Sequence, residues 1–148
     1  MKQLGKTQNM IFILGGLLMV IGAGCFAFMW NQRIVCWVFL AGSVMFSTMQ
    51  AAQLYEGSNF NIRRLKRIQN IADLFFVLAG VLMIDSAYHI LLPLFRNSSG
   101  TGYQNYIQYV YNKWVLLLII AAILEIYTTH RIDSELKKEN NRLPDDKQ

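Results

Sequence analysis

Residues 10–30 read MIFILGGLLMVIGAGCFAFMW, 21 positions without a charge. As one helix this stretch rises about 30 Å, the depth of a bilayer's hydrocarbon core. A secretory signal is the rival reading, because Lys2 and Lys6 precede the apolar run and Ala23-Gly24-Cys25 has the small residues of a cleavage site. The run continues past any such cut through Phe26, Phe28 and Trp30, so it reads as a retained span.

Working outward, Asn31-Gln32-Arg33 is a short turn, and Ile34 to Leu54 supplies a second uncharged stretch of 21 residues. Tyr55 to Asn70 holds Gly57, Ser58, Asn59 and the basic run Arg63-Arg64-Leu65-Lys66-Arg67, which hydrocarbon would not accept; it reads as a loop, partly helical at most. Ile71 to Phe95 is a third span, long enough to be tilted and broken near its far end by Pro93. The segment from Arg96 to Lys113 is polar. Five aromatic residues, Tyr103, Tyr106, Tyr109, Tyr111 and Trp114, crowd its second half and the start of the next span, as expected where amphipathic rings sit at headgroup level. The fourth span covers about 110–130, followed by a polar helix over about 131–143 and a disordered tail over 144–148.

Composition agrees with this partition. Of 148 residues, 54% are hydrophobic, and the 14 Lys plus Arg and 9 Asp plus Glu fall mostly in the termini and one internal loop. The expected fold is an all-α membrane protein, a single four-span transmembrane domain over residues 1–143. Lys and Arg placement sets its orientation, since cytoplasmic flanks retain positive charge. Both termini and the second loop inside puts eleven cationic residues in the cytoplasm against Arg33, Arg96 and Lys113 outside. The expectation is therefore N-in/C-in, with the C-terminal helix cytoplasmic, in a bacterial inner membrane. The Asn97-Ser98-Ser99 sequon would then face outward. The net charge of +5 comes with no nucleic-acid motif or aromatic-interleaved basic face, so its partner is the bilayer surface and not nucleic acid. Arg63, Arg64, Lys66 and Arg67 are the candidates for anionic lipid headgroups.

The intramembrane polar residues carry whatever chemistry there is. Asp85 lies ten positions before Phe95, about 15 Å below the outer boundary of the expected span, where a carboxylate costs roughly 2.5 to 3.5 kcal/mol. Tyr88 and His89 follow at helical spacing, so an Asp85–His89 hydrogen bond and a proton or ion relay are one reading, and a packing pair is the other. Glu125, Asp73, Gln50 and Gln53 fall at matching depths near the inner boundary and outline an inner polar layer, read either as carboxylates snorkelling toward Arg67 or Arg131 at the interface or as a cytoplasmic vestibule for a cation. Cys25 and Cys36 flank the first turn almost symmetrically, which makes an outward-facing redox pair geometrically possible. His130 sits at the opposite face from His89, and no third ligand lies at either depth, so no metal site or cofactor is expected. Small residues at Gly15, Gly16, Gly22, Ala23 and Gly24, and at Ala41, Gly42, Ser43 and Ser47, let helices approach closely, within one chain or between copies.

No motif ties the chain to a family. Its leading functional expectation is a non-enzymatic accessory or scaffolding component that packs against a membrane-protein partner or copies of itself. A small ion- or proton-coupled transporter using Asp85 and His89 comes second, and a thiol redox protein third.

Overall fold

The computed structural model describes residues 5–53, 57, 59–96 and 100–142. Helix accounts for 86% of these residues and no strand forms among them, so the class is all-α. Four helical stretches are long and apolar enough to cross a membrane. They are α1 (Lys6–Ala27), α2 (Gln32–Ala51), α3 (Phe60–Tyr88) and the stretch Gly102–Arg142. Two short helices, α4 (Leu92–Arg96) and α5 (Gly102–Tyr109), precede the last long one, α6 (Trp114–Arg142). The expected disordered tail and the Asn97-Ser98-Ser99 sequon lie outside the described residues.

The helices pack in series, α1 on α2, α2 on α3, and α3 on α6. Phe39, Phe76, Ala79, Met83 and Ala121 form the centre of the shared core. Outside it the chain is apolar again: Leu17, Val20, Ile34, Leu74, Ile123 and Ile126 are each more than half exposed. A water-soluble protein does not leave apolar surface of that extent uncovered, whereas lipid tails cover it without cost.

Glycine sets the α1–α2 spacing. A Cβ on Gly42 would lie 2.9 Å from both the Gly15 carbonyl oxygen and Leu18 Cβ, and one on Gly15 would lie 2.9 Å from the Phe46 backbone nitrogen. Gly22 meets Phe39 in the same way, at 3.1 Å from its Cα. Much of the small-residue face is therefore consumed inside the chain, where backbones approach closely enough for dispersion to hold them. Gly24 is different, with nothing within 4 Å of an added Cβ.

Three boundaries differ from the sequence reading. The basic run is helical: α3 begins at Phe60, capped by the Asn59 side chain accepting from the Asn61 N–H. Ile62, Leu65, Gln69, Ala72 and Phe76 continue one buried stripe straight through the cationic residues, so tertiary burial carries the helix where composition suggests a loop. At its other end α3 stops at Tyr88, not at residue 95, with His89 in the left-handed conformation at φ 55°. Finally, the fourth span and the polar helix after it are one uninterrupted helix of 29 residues, about 44 Å long. Its polar half runs beside the start of α3, with Ile132 buried and Glu135 hydrogen-bonded to Asn61 and Lys138. The Lys138 bond, at 3.0 Å, is the main reason the Glu135 carboxyl is held below its ordinary range.

Gly42→Leu should lower the thermal unfolding midpoint in detergent, at a cost of about 1–3 kcal/mol for overpacking. Gly24→Ala should cause no loss. Equal midpoints for Gly42→Leu and the parent chain would refute the close α1–α2 crossing.

Candidate functional site

Lys66, Gln69 and Asp73 are spaced by three and four residues and so fall within about 60° of one another around α3. Gln69 and Asp73 are buried, at 6% and 4% exposure. Gln50 on α2, 2% exposed, and Glu125 on α6 complete a polar layer between three helices. Glu125 Oε1 accepts from Gln50 Nε2 at 2.7 Å, Gln69 Nε2 at 3.0 Å and Thr129 Oγ1 at 3.2 Å. Ser47 adds a bond of 3.4 Å to the Asp73 backbone oxygen, which pins α2 against α3 at the same level.

One oxygen of Glu125 is thus saturated while the rest of the layer is not. Glu125 Oε2, both Asp73 carboxylate oxygens, Gln50 Oε1 and Gln69 Oε1 are buried without a hydrogen-bond donor. The Lys66 Nζ is also buried and unpaired, although its charge acts on both Glu125 and Asp73. Buried polar atoms are almost always satisfied, and each orphan costs about 1–3 kcal/mol, so these oxygens are the open acceptors of the layer.

Asp85 has the opposite balance. Its Oδ1 accepts from the Leu91 N–H at 2.7 Å and its Oδ2 from the Tyr106 hydroxyl at 2.8 Å. Those bonds fold the chain back after Tyr88 and tie α5 to the end of α3. Asp85 therefore lies three residues from the helix end, about 5 Å, and not ten residues inside it as the longer span implied. The expected Asp85–His89 side-chain bond does not form: the His89 N–H closes the last turn on the Asp85 carbonyl at 2.6 Å, and the left-handed backbone at His89 carries its ring elsewhere. His89 Nδ1 instead lies 3.4 Å from the Tyr106 hydroxyl, and its ring stacks on Tyr111 at 6.0 Å. Tyr88 turns the other way: it donates to the Arg33 carbonyl at 3.1 Å and accepts from Trp37 Nε1 at 3.4 Å, bracing the α1–α2 turn.

The remaining sequence candidates separate clearly. Arg63, Arg64 and Arg67 are exposed, Arg63 donating to the Gly57 carbonyl at 3.2 Å, whereas Lys66 faces the carboxylates and not the surface. Cys25 and Cys36 are both free, and Cys36 is fully buried with its thiol donating to the Arg33 carbonyl at 3.3 Å. Gln53 is half-buried with no side-chain bond to the layer's residues, although Gln50 lies at its centre. Gln69 and Tyr106 escaped the sequence reading. The Lys66-x-x-Gln69-x-x-x-Asp73 spacing was a usable signal for the first; nothing local marks the second, 21 residues from its partner.

Comparison with known proteins finds no matching family model, no similar curated protein and no similar solved structure. The reading of the layer rests on its chemistry alone.

Asp85→Ala removes the acceptor of a buried hydroxyl and a chain-reversing N–H, so it should destabilise the α3–α5 junction by about 1–3 kcal/mol. Hydrogen exchange at the Leu91 amide should accelerate accordingly. Unchanged protection there would show that the carboxylate does not hold the turn.

Proposed function

We propose that this chain is a small ion- or proton-coupled integral membrane protein whose working groups are Glu125 and Asp73, with Gln50, Gln69 and Lys66 around them. The observation that carries the reading is the set of five buried oxygens without donors, centred on two carboxylates and facing a single lysine. With both carboxylates ionised and Lys66 protonated, the layer is one positive charge short of neutrality. In a low dielectric that deficit attracts one proton or one small cation, and ionisable groups at this depth mark charge pathways. Glu125 lies eleven residues along α6 from Trp114, about 16 Å, well within a hydrocarbon core of about 30 Å.

The cationic residues support an orientation with both termini cytoplasmic, in a bacterial inner membrane. The polar layer then opens toward the cytoplasmic leaflet, with exposed Arg63, Arg64 and Arg67 at the anionic headgroups. An accessory role remains a second reading on a different observation. An apolar groove of about 370 Å³, lined by Gly16, Met19, Ala23, Phe76, Leu118 and Ala122, lies open between α1 and α6 and suits a helix of a membrane partner or a second copy. Gly15, Gly22 and Gly42 no longer argue for it, since α1 and α2 use them on each other, whereas Gly16 and Ala23 line the groove. A thiol redox role has less support, with one cysteine fully buried.

Reconstituted into liposomes under an imposed membrane potential, the full chain should conduct protons or sodium above protein-free vesicles. Glu125→Gln should return flux to background, and Asp85→Asn should leave it in place. Wild-type flux equal to that of empty vesicles would end the coupling reading, and flux lost with Asp85→Asn but kept with Glu125→Gln would move the pathway to the other end of α3.

A further inference from the structure

The donor chemistry of the polar layer goes further than its charge. All five unpartnered acceptors are oxygens, three from carboxylates and two from amides, and they come from three helices. Among the described residues no group of three His, Cys, Asp or Glu assembles, so the set lacks the nitrogen, sulfur or third carboxylate that would favour a transition metal. Oxygen-only donors suit hard cations. With both carboxylates ionised and Lys66 protonated, a divalent ion would over-neutralise the site, whereas a monovalent one closes it.

The amides are arranged for this purpose. Gln50 and Gln69 each give their Nε2 to the same carboxylate oxygen, Glu125 Oε1, which holds both side chains at the centre of the layer. Their carbonyl ends stay beside that centre without donors of their own. Asp73, 4% exposed, brings two more free oxygens from one helical turn along α3. Lys66 is the fixed cation of the group. Its Nζ is buried, interacts electrostatically with both carboxylates and forms no hydrogen bond, so it neutralises part of the charge without filling the oxygens.

The geometry points to an alkali-cation site of the sodium class formed by Glu125, Asp73, Gln50 and Gln69, in which the Lys66 ammonium is a tethered competitor for the same carboxylates. This rests on the reading of the layer as a charge-binding site and names its occupant. Lys66 weakens cation binding by repulsion and offers the carboxylates a replacement charge when the ion leaves, which keeps the empty site from standing at two uncompensated negative charges.

The test uses the full chain in detergent at fixed pH and constant ionic strength, with sodium chloride replacing choline chloride stepwise and tryptophan fluorescence reporting the unfolding midpoint. Sodium should raise the midpoint saturably, as any ligand bound only by the folded state does. Glu125→Gln and Asp73→Asn should abolish that dependence. Lys66→Met should lower the sodium concentration at half effect by about tenfold, the factor given by removing about 1.4 kcal/mol of repulsion. Line broadening of the sodium-23 resonance by wild-type protein, reversed by lithium, supports the site without needing any variant to fold. Identical midpoints in sodium and choline, with no broadening, overturn it. An equal response to calcium overturns the monovalent assignment, and an unchanged half-effect concentration in Lys66→Met overturns the competition. Proton flux with no sodium response leaves the coupling reading standing and removes this inference, whereas sodium binding without flux does the reverse.

Discussion

The antiparallel pairing of α3 with α6 is the constraint on which the polar interior depends. Asn61 meets Glu135 near one end and Gln69 meets Glu125 further in, so the two long helices keep one register across the polar half of their contact. Because α6 runs unbroken from the apolar region into the polar one, Glu125 is held at the junction by helix on both sides. A carboxylate at the frayed end of a span would turn to water or to an interfacial arginine. Here its neighbours Ala121 and Thr128 are fully buried, and the side chain is directed at α2 and α3 instead.

The glycine contacts act on the same layer indirectly. Gly15 and Gly42 bring α1 against α2 at backbone distance, and a Cβ added at Gly80 of α3 would lie 3.3 Å from Leu40 Cα on α2. At the same crossing Ser47 of α2 donates to the Asp73 backbone oxygen and Gln50 to the Glu125 carboxylate. In a bilayer there is no hydrophobic gain between helices, so steric fit and a few polar bonds decide the spacing. Small residues and the polar layer are parts of one packing solution.

How far the sequence could be read follows from which signals were local. Four apolar stretches declare themselves by length and lack of charge, and all four appear as helices. Their ends are set by long-range partners: α3 ends where Asp85 captures the Leu91 N–H, which no composition window between Ile71 and Phe95 betrays. The basic run looked like a loop because hydrocarbon rejects its charge, yet Ile62 and Leu65 have a buried partner face that only the fold supplies. Glu125, Asp73 and Gln50 were legible as a layer by depth alone. Lys66 was misassigned to the surface because four cations in five residues look equivalent until the helix phase is known.

Asp85 and the Glu125–Asp73 pair are carboxylates in contrasting surroundings. Asp85 and Asp73 are buried and Glu125 is half-buried, and sequence depth ranked Asp85 first. The distinction lies in the balance of donors to acceptors. At Asp85 each oxygen has one donor from a group that is itself fixed, a backbone N–H and a buried tyrosine hydroxyl, so both oxygens are engaged in holding the turn. In the inner layer the donors converge on a single oxygen of Glu125, and the four atoms of Asp73 Oδ1, Asp73 Oδ2, Gln50 Oε1 and Gln69 Oε1 are left over beside Glu125 Oε2. A saturated carboxylate fixes a shape, whereas an unsaturated cluster holds electrostatic free energy that a single positive charge can relieve. The helix that carries both kinds thus joins an end pinned by hydrogen bonds to one whose acceptors stand open among α2, α3 and α6.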